Sequence, residues 1–82
     1  MAGNATKSSP PIFNENTSTW TEYKKELLIW QSLTTLPAVK QGPALYLSLQ
    51  GKAKDVVKDI NTENIISEEG VKNITDALDL IF

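Results

Sequence analysis

From Trp20 onward, apolar side chains return at every third or fourth position, and this spacing limits the fold of the 82-residue chain more than any other feature. Trp20, Tyr23, Leu27 and Trp30, with Leu28 beside them, line one face of a helix, while Lys24, Lys25 and Glu26 fall on the rest of its surface. Thr19-Trp20-Thr21-Glu22 has the spacing of a capping box, in which the hydroxyl and the carboxylate satisfy free amides at a helix start. Thr34-Thr35-Leu36-Pro37 ends the helix, because proline disfavours helical geometry in the residue before it. The spacing therefore predicts a helix over 19–33, with its apolar stripe in the core.

A second helix over 38–50 starts near Pro37 or at Pro43, where a first-turn proline sacrifices no hydrogen bond. Its Ala44, Leu45, Tyr46, Leu47 and Leu49 form the most apolar segment of the chain and predict a central helix buried on most sides. The alternation of Leu45, Leu47 and Leu49 would also suit a strand. No second strand-like run exists to pair with it, so helix is expected. Gly51 interrupts the chain, and 52–60 reads as a short helix with Ala53, Val56, Val57 and Ile60 inward. Residues 61–65 read as a connection. Ser67 caps a last helix over 67–82, with Glu68 and Glu69 at its positive end, a Glu68–Lys72 pair one turn apart, and Val71, Ile74, Ala77, Leu78 and Ile81 inward. Trp20, Leu27, Leu47, Val56 and Ile74 are expected to be buried. The fold class is all-α, a small four-helix bundle over 18–82.

Residues 1–17, rich in Ser, Thr, Asn and Pro, offer too little apolar surface to offset the entropy of ordering them and are expected to be a flexible or extended tail. Within them Pro10-Pro11-Ile12-Phe13 is stiffened by its prolines, and reads either as an apolar anchor or as an exposed linker.

Composition removes most chemistry. The chain has no Cys and no His, which rules out a disulfide framework, the usual zinc sites and a Ser-His or Cys-His nucleophile. Eight Lys, no Arg and ten acids give a formal charge of −2, so direct nucleic-acid binding is not expected. No apolar run approaches the ~20 residues of a membrane span and no signal-peptide pattern opens the chain, so a soluble, cytoplasmic protein is expected. The sequons at Asn4, Asn16 and Asn73 then have no route to glycosylation.

Gly42-Pro43 to Gly51-Lys52 superficially resembles a phosphate loop. Eight residues rather than four lie between the glycines and Ala53 follows the lysine, so the nucleotide-binding reading fails. Asp55 and Asp59 lie one helical turn apart but alternate with lysines on a solvated face. No enzyme and no cofactor are expected.

The order Pro11-x-Phe13, Trp20-x-x-Tyr23-Lys24-x-x-Leu27-x-x-Trp30, Leu36-Pro37, then Lys40-Gln41-Gly42-Pro43-Ala44-Leu45-Tyr46-Leu47-Ser48-Leu49-x-Gly51-Lys52-Ala53 resembles the Gag polyprotein of gypsy-type LTR retrotransposons. The ending Gly70-Val71-Lys72-x-Ile74-x-x-x-Leu78-Asp79-x-Ile81-Phe82 is similar to the segment that follows in such Gags. The resemblance covers about residues 10–82, and its middle block is the specific part. It implies the N-terminal lobe of a capsid domain, a retroviral-capsid-like bundle that self-assembles into shells. Domesticated relatives such as the neuronal Arc protein use this lobe to bind peptides in a hydrophobic groove. By resemblance, Phe13, Trp20, Tyr23, Leu27 and Trp30 belong to the core and to a peptide or partner groove beside the first helix, and Leu45, Leu47 and Leu49 to the bundle core. The sequence has no second capsid lobe, zinc knuckle, protease or polymerase segment, and is expected to be a fragment, a degraded copy or a truncated gene model.

Two readings follow: a capsid-like module that self-associates, or an adaptor that binds apolar peptides. With its C-terminal helix ending in apolar residues, the chain is expected to expose Leu78, Leu80, Ile81 and Phe82. Phe13→Ala is expected to leave the helices nearly intact while altering Trp fluorescence and association.

Overall fold

The computed structural model describes residues 9–82; the expected flexibility of 1–8 and the sequon at Asn4 lie outside the described residues. Among the described residues five helices follow one another: α1 Trp20–Leu33, α2 Ala38–Leu47, α3 Gly51–Val57, α4 Thr62–Ile65 and α5 Gly70–Asp79. Among the described residues there is no strand, only one parallel bridge between Phe13 and Leu49. The all-α class is as expected. The stretch 61–65 differs: it contains the short α4, which buries Ile65.

The capping box forms as expected. Glu22 N donates to Thr19 Oγ1 at 3.1 Å, and Thr19 N donates to Glu22 Oε1 at 3.1 Å. Pro37 is the N-cap of α2, and Pro43 lies inside that helix. The second helix ends at Leu47 rather than 50, because Ser48 caps it and Leu49 turns into the bridge with Phe13. The last helix runs only from Gly70 to Asp79, and Glu69, not Ser67, is its N-cap. Its lysine pairs differently as well: Lys72 Nζ lies 2.8 Å from Asp76 Oδ2, on the following turn rather than the preceding one.

The core gathers Phe13, Trp20, Tyr23, Leu27, Trp30, Leu45, Leu49, Ala53, Val57, Ile65, Ile74 and Leu78. Two expectations fail here. Leu47 is 77% exposed, and Val56 is only half-buried. In an α-helix, two residues amount to a rotation of about 200°, so once Leu45 faces inward Leu47 faces out. The apolar run around Leu47 is thus amphipathic, not buried on most sides as expected. Leu28, beside the α1 stripe, is likewise 67% exposed. Leu78, expected to lie uncovered, is fully buried, whereas Leu80 and Ile81 are exposed.

Two glycines set how closely α2 and α5 cross. A Cβ on Gly42 would collide with the Ile65 carbonyl oxygen and come within 2.9 Å of Gly70 Cα; a Cβ on Gly70 would strike the same oxygen and reach 3.0 Å from Gly42 Cα. Gly51, at φ 60°, makes the left-handed turn that starts α3.

Candidate functional site

The segment 10–13 is an anchor, not a linker. Phe13 N donates to Ser48 O at 3.0 Å, and Gln50 N donates to Phe13 O at 3.1 Å. The Tyr23 hydroxyl donates to Pro11 O at 2.7 Å. Prolines leave this short extended strap few amides to satisfy, and the bonds it makes lie on both sides of Phe13. Ile12 points away and is 63% exposed. The strap is therefore held between α1 and the α2–α3 junction.

Phe13 enters the molecule completely. Its ring lies 4.9 Å from Tyr23, 5.5 Å from Trp20 in an edge contact, and 5.5 Å from Phe82, also edge-on. Phe82 thus folds back over the aromatic cluster, although part of it remains exposed. Trp20 Nε1 donates to Asp79 Oδ1 at 2.7 Å, and Lys24 Nζ reaches the same oxygen at 3.0 Å. This joins α1 to the end of α5.

All five residues assigned to a groove by resemblance are buried, and Phe13 fills the space between the strap and α1 beside Trp20 and Tyr23. Of the five, Leu27 and Trp30 each line an open depression, Trp30 the one beside the strap. That hollow, about 330 Å³, lies between Ser9 and Pro11 on one side and Glu26, Ile29, Trp30 and Leu33 on the other. Trp30 Nε1 is buried without an acceptor. Sequence reasoning missed Ile29 and Leu33 as lining residues, although their four-residue spacing beside Trp30 already marked a second apolar edge on α1. A second hollow of about 390 Å³ separates α1 from α5, between Leu27 and Leu28 on one side and Val71 and Lys72 on the other. Among the described residues no group of His, Cys, Asp or Glu is arranged to hold a metal ion, and no helix is long and apolar enough to cross a membrane.

Among the described residues, hydrogen bonding and burial shift three groups. Hydrogen bonds from Trp20 and Lys24 hold the Asp79 carboxyl below its ordinary range. The hydrogen bond to Asp76 raises the Lys72 ammonium, and burial, helped by Glu26, raises the Tyr23 phenol well above 10.0. A depressed carboxyl stabilises the fold above its unfolded pKa, and that contribution is lost as pH falls through the folded value. Asp79→Asn is therefore expected to lower the urea midpoint at neutral pH and to leave it unchanged in strong acid, where the native carboxyl is protonated too. Tyr23 acts at the other end of the scale: the unfolded chain ionises first, so stability falls as pH rises above 10.0. Tyr23→Phe should lose about 0.5–1.5 kcal/mol through the missing bond to Pro11, read as a lower urea midpoint, and should remove most of that alkaline slope.

Compared with known proteins, the chain matches no family model, no curated protein and no solved structure.

Proposed function

We propose that the chain is a non-enzymatic, cytoplasmic structural module, similar to the N-terminal lobe of a gypsy-type Gag capsid, that associates with copies of itself into capsid-like assemblies. The sequence resemblance set out above motivates this reading, together with an all-α body in which a Pro-x-Phe strap packs on the first helix. The observation that carries it is the outer side of α1, where Leu28, Ile29 and Leu33 are 67%, 51% and 52% exposed. Three large apolar side chains left exposed on one helix suit a contact that another molecule covers. The double substitution Leu28→Glu/Leu33→Glu is expected to abolish high-order assembly, measured by light scattering and negative-stain microscopy, while circular dichroism stays unchanged. A wild-type chain that remains monomeric at concentrations where Gag lobes pack would end this reading.

A second reading is that of an adaptor binding an apolar peptide beside α1. The hollow next to Pro11 supports it, because Ile29, Trp30 and Leu33 offer it an apolar wall. Titrating proline-containing apolar peptides against Trp fluorescence tests it. Saturable binding that Leu33→Glu weakens roughly tenfold is the expected result, and no saturation with any such peptide removes it.

A further inference from the structure

We propose that two copies of this chain exchange their straps, residues 10–13, so that Phe13 of each seats in the body of the other. This goes beyond the assembly reading and does not use the outer face of α1. The occupant is fixed by the structure itself, since the seat is already filled by this segment and complementary to it. Every contact that holds the strap runs to the body, none to the connection that follows: Phe13 N to Ser48 O, Gln50 N to Phe13 O, the Tyr23 hydroxyl to Pro11 O, and the ring among Trp20, Tyr23 and Phe82. All of these recur unchanged when the strap comes from a second copy. Exchange of an identical element in this way is a low-cost route to a dimer.

The cost of opening lies in residues 14–19, and it is small. Asn14 closes that connection: its side-chain oxygen accepts from Asn16 N at 2.9 Å, and its carbonyl accepts from Thr17 N at 2.9 Å and Ser18 N at 3.2 Å. The side-chain bond is exposed, as are Asn16 and Thr17, so water replaces these bonds on opening. The closed connection also holds Glu15 against the start of α3. Glu15 Oε2 accepts weakly from Lys52 N at 3.3 Å, while Glu15 Oε1 is buried with no partner. Opening returns that oxygen to water. Six extended residues reach on the order of 20 Å, longer than the 16 Å short dimension of the molecule. The closed monomer is favoured in dilute solution because a short tether supplies a millimolar-range effective concentration, so exchange is a concentration-dependent state.

The test is Asn16→Pro/Thr17→Pro in the full chain. The two prolines remove two of the three amides that close the turn, those of residues 16 and 17, and push the connection toward an extended form. The monomer–dimer equilibrium, followed by sedimentation, is expected to shift toward dimer by roughly tenfold or more. In a dimer mixed from labelled and unlabelled chains, nuclear Overhauser contacts between Phe13 and Leu49 should be intermolecular, and adding Leu28→Glu/Leu33→Glu should leave this dimer intact even where it abolishes larger assemblies. Adding Ile12→Ala should also leave it intact. A folded monomer, with the strap either seated or released, overturns the proposal, as does a dimer whose Phe13–Leu49 contacts stay within one chain. Should the proline variant not fold, wild-type chain refolded from denaturant at about millimolar concentration gives the same reading: intermolecular Phe13–Leu49 contacts support exchange, and their absence overturns it.

Discussion

Gly42→Val is expected to abolish the fold at ambient temperature, seen as loss of cooperative thermal unfolding and of Trp burial. The atoms a Cβ would meet at Gly42 are backbone: the Ile65 carbonyl oxygen, then Gly70 Cα at 2.9 Å and Gly70 C at 3.2 Å. A flexible side chain would move aside; two backbone segments, the end of α4 at Ile65 and the start of α5 at Gly70, do not. Overpacking costs about 1–3 kcal/mol in ordinary cores and more where nothing yields. Against a total stability of about 0.05–0.15 kcal/mol per residue, that is a large share for a chain this short. Gly42→Ala sets two effects against each other. Helix propensity favours alanine by about 1 kcal/mol, and the collision opposes it, so a net loss of about 1–2 kcal/mol is expected. Ser32→Val, at an exposed position of α1, controls for β-branching in a helix. If Gly42→Val melts like the parent chain, the close crossing of α2 and α5 is wrong.

Phe13→Ala should be nearly as damaging, losing about 3–5 kcal/mol as truncation of a buried aromatic typically does. Three rings pack on Phe13, and its removal leaves a cavity that Trp20 and Tyr23, tied by their own hydrogen bonds to Asp79 and Pro11, cannot collapse to fill. This reverses the sequence-based expectation that the helices would survive the change nearly intact. That expectation treated Phe13 as a groove lining, whereas the ring has 0% exposure. Ile12→Ala, one residue away and largely exposed, is expected to stay within about 0.5 kcal/mol of the parent. Chemical denaturation of the two variants separates strap packing from strap composition. Equal midpoints for both would place Phe13 outside the core.

The course of α1 was legible because every signal agreed. Capping box, stripe and proline stop are all local, and the helix they predicted over 19–33 forms as Trp20–Leu33. Local signals conflicted further on. The Leu45–Leu49 run carried a strand-like alternation inside an apolar stretch, and both tendencies appear in part: the helix ends at Leu47, and Leu49 pairs with Phe13 across a single bridge. The pairing partner lies 36 residues earlier in a segment whose polar composition suggested disorder. Nothing local signals such a pairing. The hollow beside Pro11 was unreadable for the same reason, since it exists only where Ser9 and Pro11 are brought alongside Ile29, Trp30 and Leu33.

By itself, the sequence determined that this chain is mostly helical, where its first helix begins and ends, and that it holds no Cys or His, because periodicity, capping and residue inventory act over one or two turns or over composition alone. Only the tertiary structure decided that Phe13 belongs to the core, that Leu47 does not, and that Gly42 meets Gly70. Those outcomes depend on which surfaces approach each other across long stretches of chain. An apolar residue is buried only if its helix turns it toward another element, and a glycine is indispensable only if a backbone comes within reach of its missing Cβ.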